Sequence, residues 1–201
     1  MKKVIYSILA LGLLASCSGG NQTNEDTSTV AEHATIEGVN LPTKLSLNKT
    51  ELILNGAGVR SFLFIKIYVG GLYLPAKTHD PKEIINADEP SVIRFHAISR
   101  AFTSERMAKT VREQFEKSNP GKTAEFKTRL DILCDMLAKE TIQIGDECDI
   151  SYTPNEGIRV SKNGKDLNIL LSGLDFKKAL WSDWLSDIPA DESLKKAMLG
   201  L

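Results

Sequence analysis

The chain has 201 residues, a formal net charge of −1 at pH 7, 42% hydrophobic residues and 25% charged residues. That length and balance suit one globular domain with its own core. The near-zero charge gives no support for nucleic acid as a partner.

The N-terminus has the shape of an export signal. Lys2 and Lys3 precede the apolar run Val4 to Leu14, which ends in Leu14-Ala15-Ser16-Cys17, as in secretory signals. The run is shorter than the ~20 apolar residues of a transmembrane helix. Leu-Ala-Ser-Cys resembles the bacterial lipobox, so residues 1–16 are expected to be removed and Cys17 to carry lipid; an ordinary signal with an incidental cysteine is the alternative. One acyl chain anchors only marginally, with K of about 10⁴ M⁻¹, whereas the several chains of a lipoprotein cysteine hold stably. Loss of Lys2 and Lys3 leaves the mature chain slightly more acidic, so the membrane is met through lipid and not through a polybasic patch. Ser18, where an aspartate would favour inner-membrane retention, favours the outer membrane of a diderm cell, facing the periplasm. Residues 17–35 are almost devoid of apolar side chains and read as a tether. The folded domain is expected over residues 36–201.

Leu45 and Leu47 alternate with polar neighbours, Asn48-Lys49 makes a turn, and Thr50 to Leu54 resumes β character, which predicts a hairpin. It leads into Asn55 to Leu74, NGAGVRSFLFIKIYVGGLYL, the densest β signal in the chain. As one straight strand, Val59 to Leu74 would span about 50 Å, far beyond the usual ~17–20 Å. A bend is therefore expected, and Gly70-Gly71 is the place that glycine's dihedral freedom suggests. Strict alternation puts Val59, Leu63, Ile65, Ile67 and Val69 on one face and Arg60, Phe62, Phe64, Lys66 and Tyr68 on the other. Arg60 among apolar residues must sit at a rim or meet an anionic or hydrogen-bonding partner.

Pro81 to Ile85 reads as a short helix and Ser91 to Ser99 as a strand. On that strand His96 shares a face with Val92, Arg94 and Ile98. A structural or exposed role is the expectation for His96, since no cysteine or carboxylate lies near it at metal-ligand spacing. Two helices follow, the first capped by Thr103 with Met107, Val111 and Phe115 on its apolar stripe, the second over about Thr123 to Thr141 with Phe126, Leu130, Leu133 and Leu137. Asp149 to Thr153, Ile158 to Lys162 and Asp166 to Leu171 read as strands, the last two joined by an Asn163-Gly164 hairpin turn. Helices over about Asp175 to Leu185 and Asp191 to Leu199, parted by Pro189, close the domain.

Asn55-Gly56-Ala57-Gly58-Val59-Arg60 and Phe64-Ile65-Lys66-Ile67-Tyr68-Val69-Gly70-Gly71-Leu72-Tyr73-Leu74 resemble the chalcone isomerase family, whose plant members carry a G-G-A-G-x-R turn followed by a strand close to F-I-K-F-T-A-x-G-V-Y-L. The likeness runs from about Leu52 to the C-terminus and is nearest to the bacterial chalcone isomerase-like branch. It implies an α+β fold with a largely antiparallel sheet and helices packed on one face, an open-faced β-sandwich. In that family the motif arginine, here Arg60, meets the reacting oxygen and stabilises moving charge without transferring a proton. The strand threonine corresponds to Tyr68. An ungapped alignment sets Arg106 at the family tyrosine, Glu113 at its asparagine and Ala97 at its lysine, with a later lysine at Lys109. The polar set for chalcone cyclisation is therefore incomplete.

Cys134 and Cys148 remain after Cys17. They could close a disulfide worth about 3 kcal/mol, or remain two buried thiols. No nucleophile elbow, Walker loop, metal-binding set or dinucleotide fingerprint occurs, and no metal or cofactor is expected; Asn55 to Gly58 precedes a strand where a phosphate loop would precede a helix. Three functions stay open. The preferred one is a noncatalytic binder of a small amphipathic or acidic ligand such as a fatty acid, with Arg60, Phe62, Lys66, Tyr68, Arg106 and Lys109 as ligand-binding residues. The second is an isomerase (intramolecular lyase) with Arg60 and Tyr68 as catalytic residues, and the third is an envelope interaction module.

Overall fold

The computed structural model describes residues 33–201; the signal segment, Cys17 and nearly all of the expected tether lie outside them. The first described strand opens at His33, so residues 33–35, expected in the tether, are paired with the second strand. The strands are β1 (His33–Ile36), β2 (Val39–Pro42), β3 (Lys44–Leu47), β4 (Thr50–Phe62), β5 (Ile65–Leu74), β6 (Ser91–Ala97), β7 (Glu147–Thr153), β8 (Gly157–Lys162) and β9 (Lys165–Leu171). The helices are α1 (Pro81–Asn86), α2 (Ser104–Ser118), α3 (Thr123–Lys139), α4 (Leu174–Leu185) and α5 (Glu192–Met198). β3 to β9 form one sheet in sequence order, every pair antiparallel, and β1–β2 form a separate hairpin.

Alternation along the strands sorts side chains between two covers. Tyr68, Leu72 and Leu74 of β5, with Ile93, Phe95 and Ala97 of β6, enter the main core beneath the helices. Val69 faces the other way, onto Val39 and Leu41 of the β1–β2 hairpin. The stripes expected on α2 and α3 supply the helical side of the core, with Met107, Val111, Phe115, Phe126, Leu130, Leu133 and Leu137 all buried. Thr103 caps α2 by accepting from the Arg106 amide, and Asp191 caps α5 by accepting from Leu194.

The bend lies elsewhere than at Gly70-Gly71. Both glycines sit inside the continuous strand β5, paired to Gly58 and Ala57 on one side and to Phe95 and Arg94 on the other. The chain reverses instead at Leu63-Phe64, with φ of 47° and 67°. Three other two-residue turns have the same left-handed pair: Glu37-Gly38, Asn48-Lys49 and Asn163-Gly164. Each of those holds an asparagine or glycine, as this turn type prefers. Leu63-Phe64 holds neither, and a left-handed residue with a Cβ costs about 1–2 kcal/mol.

The glycines of β4 serve close packing. A Cβ on Gly56 would lie 2.1 Å from the Ala197 carbonyl oxygen, and one on Gly58 would lie 2.5 Å from the Ala197 Cβ. α5 therefore rests directly on the strand backbone. Asn55, at a register shift in β4, secures that contact: its Nδ2 donates to the Met198 carbonyl at 2.8 Å, and its Oδ1 accepts from the Thr78 amide at 2.9 Å.

Candidate functional site

Arg60 and Tyr68 are direct cross-strand partners on β4 and β5. The Arg60 guanidinium carbon stands 5.9 Å from the centre of the Tyr68 ring, a cation–π distance. Tyr68 is buried at 4% exposure, while Arg60 is partly exposed, and among the described residues it forms no salt bridge. Behind the pair, the Tyr68 hydroxyl accepts from the Trp184 indole at 3.2 Å. Phe95 and Phe102 each lie 5.1 Å from the Tyr68 ring, and Phe95 lies 5.4 Å from Trp184. Such aromatic pairs contribute about 0.5–1.5 kcal/mol each beyond area burial. Burial raises the Tyr68 pKa above its ordinary value, and the nearby Arg60 charge and the Trp184 hydrogen bond oppose that shift. The phenol stays protonated at neutral pH, so the pair presents one fixed cation backed by a neutral hydroxyl.

The other expected ligand residues do not join this pair. The register shift between Arg60 and Ser61 skips Ile67, so the alternation reverses beyond Tyr68. Lys66 accordingly reaches the β1–β2 turn, where it meets Glu37 at 2.8 Å. Phe62 is 62% exposed at the end of β4. Arg106 and Lys109 lie on the exposed side of α2, and Lys109 faces Glu113 one turn on. Cys134 and Cys148 are free buried thiols, one on α3 and one on β7, with no disulfide between them. Burial pushes their pKa values up to about 11 and about 12. His96 is half-buried on β6, and burial together with Arg94 lowers its pKa.

Trp184 and Phe102 were not evident from the sequence as neighbours of Tyr68. Their distance along the chain hides the contact. Two cavities among the described residues lie away from Arg60. One of about 150 Å³ is bounded by Leu74 to Thr78, α1 and Lys177. Lys177 is buried there, its pKa lowered by burial to about 8, and its ammonium donates to the carbonyls of Ile84, Ile85 and Ala87. All three protons are thus committed to the end of α1. The second, of about 420 Å³, is an open recess at Arg100, Ile142, Gln143 and Ile144. No group of carboxylates, histidines and cysteines among the described residues is arranged to hold a metal.

These features define an α+β protein built on one antiparallel meander, with helices on one face and an arginine–tyrosine pair beneath them. The chalcone isomerase-like family model matches residues 33–200, and the chain belongs to that family. Among solved structures it is similar to the Arabidopsis thaliana fatty-acid binding protein AtFAP1, with a TM-score of 0.66 and 15% identity over 84% of this chain and 96% of that one. At that identity the likeness concerns the fold. No curated protein matches the sequence.

Proposed function

We propose that this protein is a noncatalytic binder of a small acidic amphipathic ligand of the fatty-acid type. The observation that carries the reading is the Arg60–Tyr68 pair: a partly exposed guanidinium with no salt bridge among the described residues, backed by a protonated phenol and an aromatic cluster. A guanidinium offers a bidentate fork to a carboxylate. The ligand's apolar part would lie against the aromatic cluster behind Tyr68. Fatty-acid binding by the structural neighbour AtFAP1 supports this choice of ligand class. We further propose export and attachment through lipid on Cys17 in the bacterial cell envelope, facing the periplasm, on the strength of the Lys2-Lys3, Val4 to Leu14 and Leu-Ala-Ser-Cys pattern.

The test is native mass spectrometry and titration calorimetry with dodecanoate on the wild type and Arg60→Ala. Binding by the wild type, weakened about tenfold or more in a still-folded Arg60→Ala, is expected. Equal binding by both proteins, or none by the wild type, overturns the reading.

A further inference from the structure

The β4–β5 turn exposes four apolar residues in a row. Phe62 is 62% exposed, Leu63 73%, Phe64 fully so, and Ile65 51%. Folding gives little reason for this composition, because the side chains stay largely in solvent and the left-handed turn at Leu63-Phe64 favours asparagine and glycine. Pairing of β4 with β5 requires a tight turn here but not two large apolar residues in it, so their retention at a strained position points to a contact outside the fold.

The surrounding charge identifies that contact. Of the seven arginines in the chain, Arg94, Arg112, Arg129 and Arg159 form salt bridges with described carboxylates. Arg60, Arg100 and Arg106 form none among the described residues, and all three lie at the end of the sheet that carries the turn. Arg60 stands two residues from Phe62. Arg100 follows the end of β6, where Ala97 pairs with Tyr68 and the Ile98 amide donates to Ile67. Arg106 is in the first turn of α2, which begins just beyond. Ile144, 57% exposed, comes to the same end through the Gly145 amide, which donates to the Ala97 carbonyl. Of the acidic groups at this end, Asp191 is engaged with the amides of Ser61 and Leu194, Glu37 with Lys66, and Asp146 with the Gln143 amide and Asn163, while Glu105 is exposed.

We propose that the Phe62–Ile65 tip enters the interface of an anionic lipid bilayer, with Arg60, Arg100 and Arg106 against the headgroup phosphates. A convex tip of phenylalanine and aliphatic side chains suits a fluid hydrocarbon boundary, and a rim of cations without carboxylate partners suits anionic lipid. The lipid expected on Cys17 would bring this surface to a membrane, but the tip and the arginines suffice for insertion without it, whether or not Arg60 also takes a free acid.

The experiment replaces Phe64 with tryptophan in the full chain and records the added emission with vesicles of phosphatidylethanolamine and phosphatidylglycerol, then with phosphatidylcholine alone. A blue shift on the anionic vesicles, with quenching by nitroxides on the acyl chains, is expected. Flotation of the Cys17→Ala chain, which cannot be lipidated there, should fall about tenfold in the Phe62→Ser/Phe64→Ser and Arg100→Glu/Arg106→Glu backgrounds. All four positions are exposed, so circular dichroism should show each variant folded. Emission unchanged by vesicles overturns the proposal. So does a blue shift without lipid that grows with protein concentration, which assigns the tip to a second copy of the chain. Equal insertion into phosphatidylcholine overturns the role of the arginines.

Discussion

The Trp184 indole donates to the Tyr68 hydroxyl at 3.2 Å inside an aromatic cluster, joining α4 to the strand that faces Arg60. Tyr68→Phe removes the acceptor and leaves a buried N–H without a partner, which costs about 1–3 kcal/mol. Trp184→Phe in the same chain removes the donor as well. The double variant is expected to lose less stability than the two single losses sum to, and a urea double-mutant cycle measures the difference. Strict additivity would mean that the bond is not formed.

The contact between α5 and β4 predicts a rescue. Gly58→Ala sets a new methyl 2.5 Å from the Ala197 Cβ and is expected to destabilise the domain by about 1–3 kcal/mol. Ala197→Gly opens the same space from the helix side, at about 1 kcal/mol in helix propensity. In the double variant the loss should be smaller than in Gly58→Ala plus Ala197→Gly taken separately, as read by thermal unfolding.

Lys66 lies apart from the Arg60–Tyr68 pair that strict alternation would have joined it to. It pairs with Glu37 at an exposed position, so Lys66→Ala should change stability by no more than about 1 kcal/mol. Dodecanoate binding should be unchanged in that variant and lost in Arg60→Ala. Comparable losses in both would place Lys66 back at the ligand.

Asp183 carries a pH signature. Its carboxyl is almost fully buried, and burial raises its pKa well above the ordinary carboxylate range, against the opposing hydrogen bond from Ser118 at 2.6 Å. Between the unfolded value and the higher folded one, the folded state holds the extra proton. Stability from this group is therefore fully present below the unfolded pKa and is lost as pH rises toward the folded one. Asp183→Asn removes that titration while keeping an acceptor for Ser118. Urea midpoints from about pH 4 to about pH 7 should fall less steeply in the variant than in the wild type.

The buried thiols of Cys134 and Cys148 should resist a maleimide at neutral pH until the protein is denatured, since burial holds both in the unreactive protonated form. Unfolding should release two reactive thiols from the Cys17→Ala chain without any reductant. A requirement for reductant would reveal a disulfide.

The sequence by itself determined the family, most of the strands and helices from Leu45 onward, and both apolar helix stripes, because these are written in local period, caps and turn residues; the β1–β2 hairpin escaped it. Thr103 and Asn163-Gly164 act over three or four residues, so the chain reads them without distant partners. Arg60 stands out in the sequence for a similar reason, as a cation within an apolar β run. Tertiary structure decided what surrounds it. One skipped residue at Ile67 reverses a two-residue period and sends Lys66 to the opposite face, a shift that no composition records. Gly70-Gly71 suggested flexibility, yet Gly70 is small to admit its neighbours, of which Met198 of α5 comes closest. The turn passed instead to Leu63-Phe64, against local preference, because pairing of β4 with β5 along their whole length outweighs the cost of two left-handed residues.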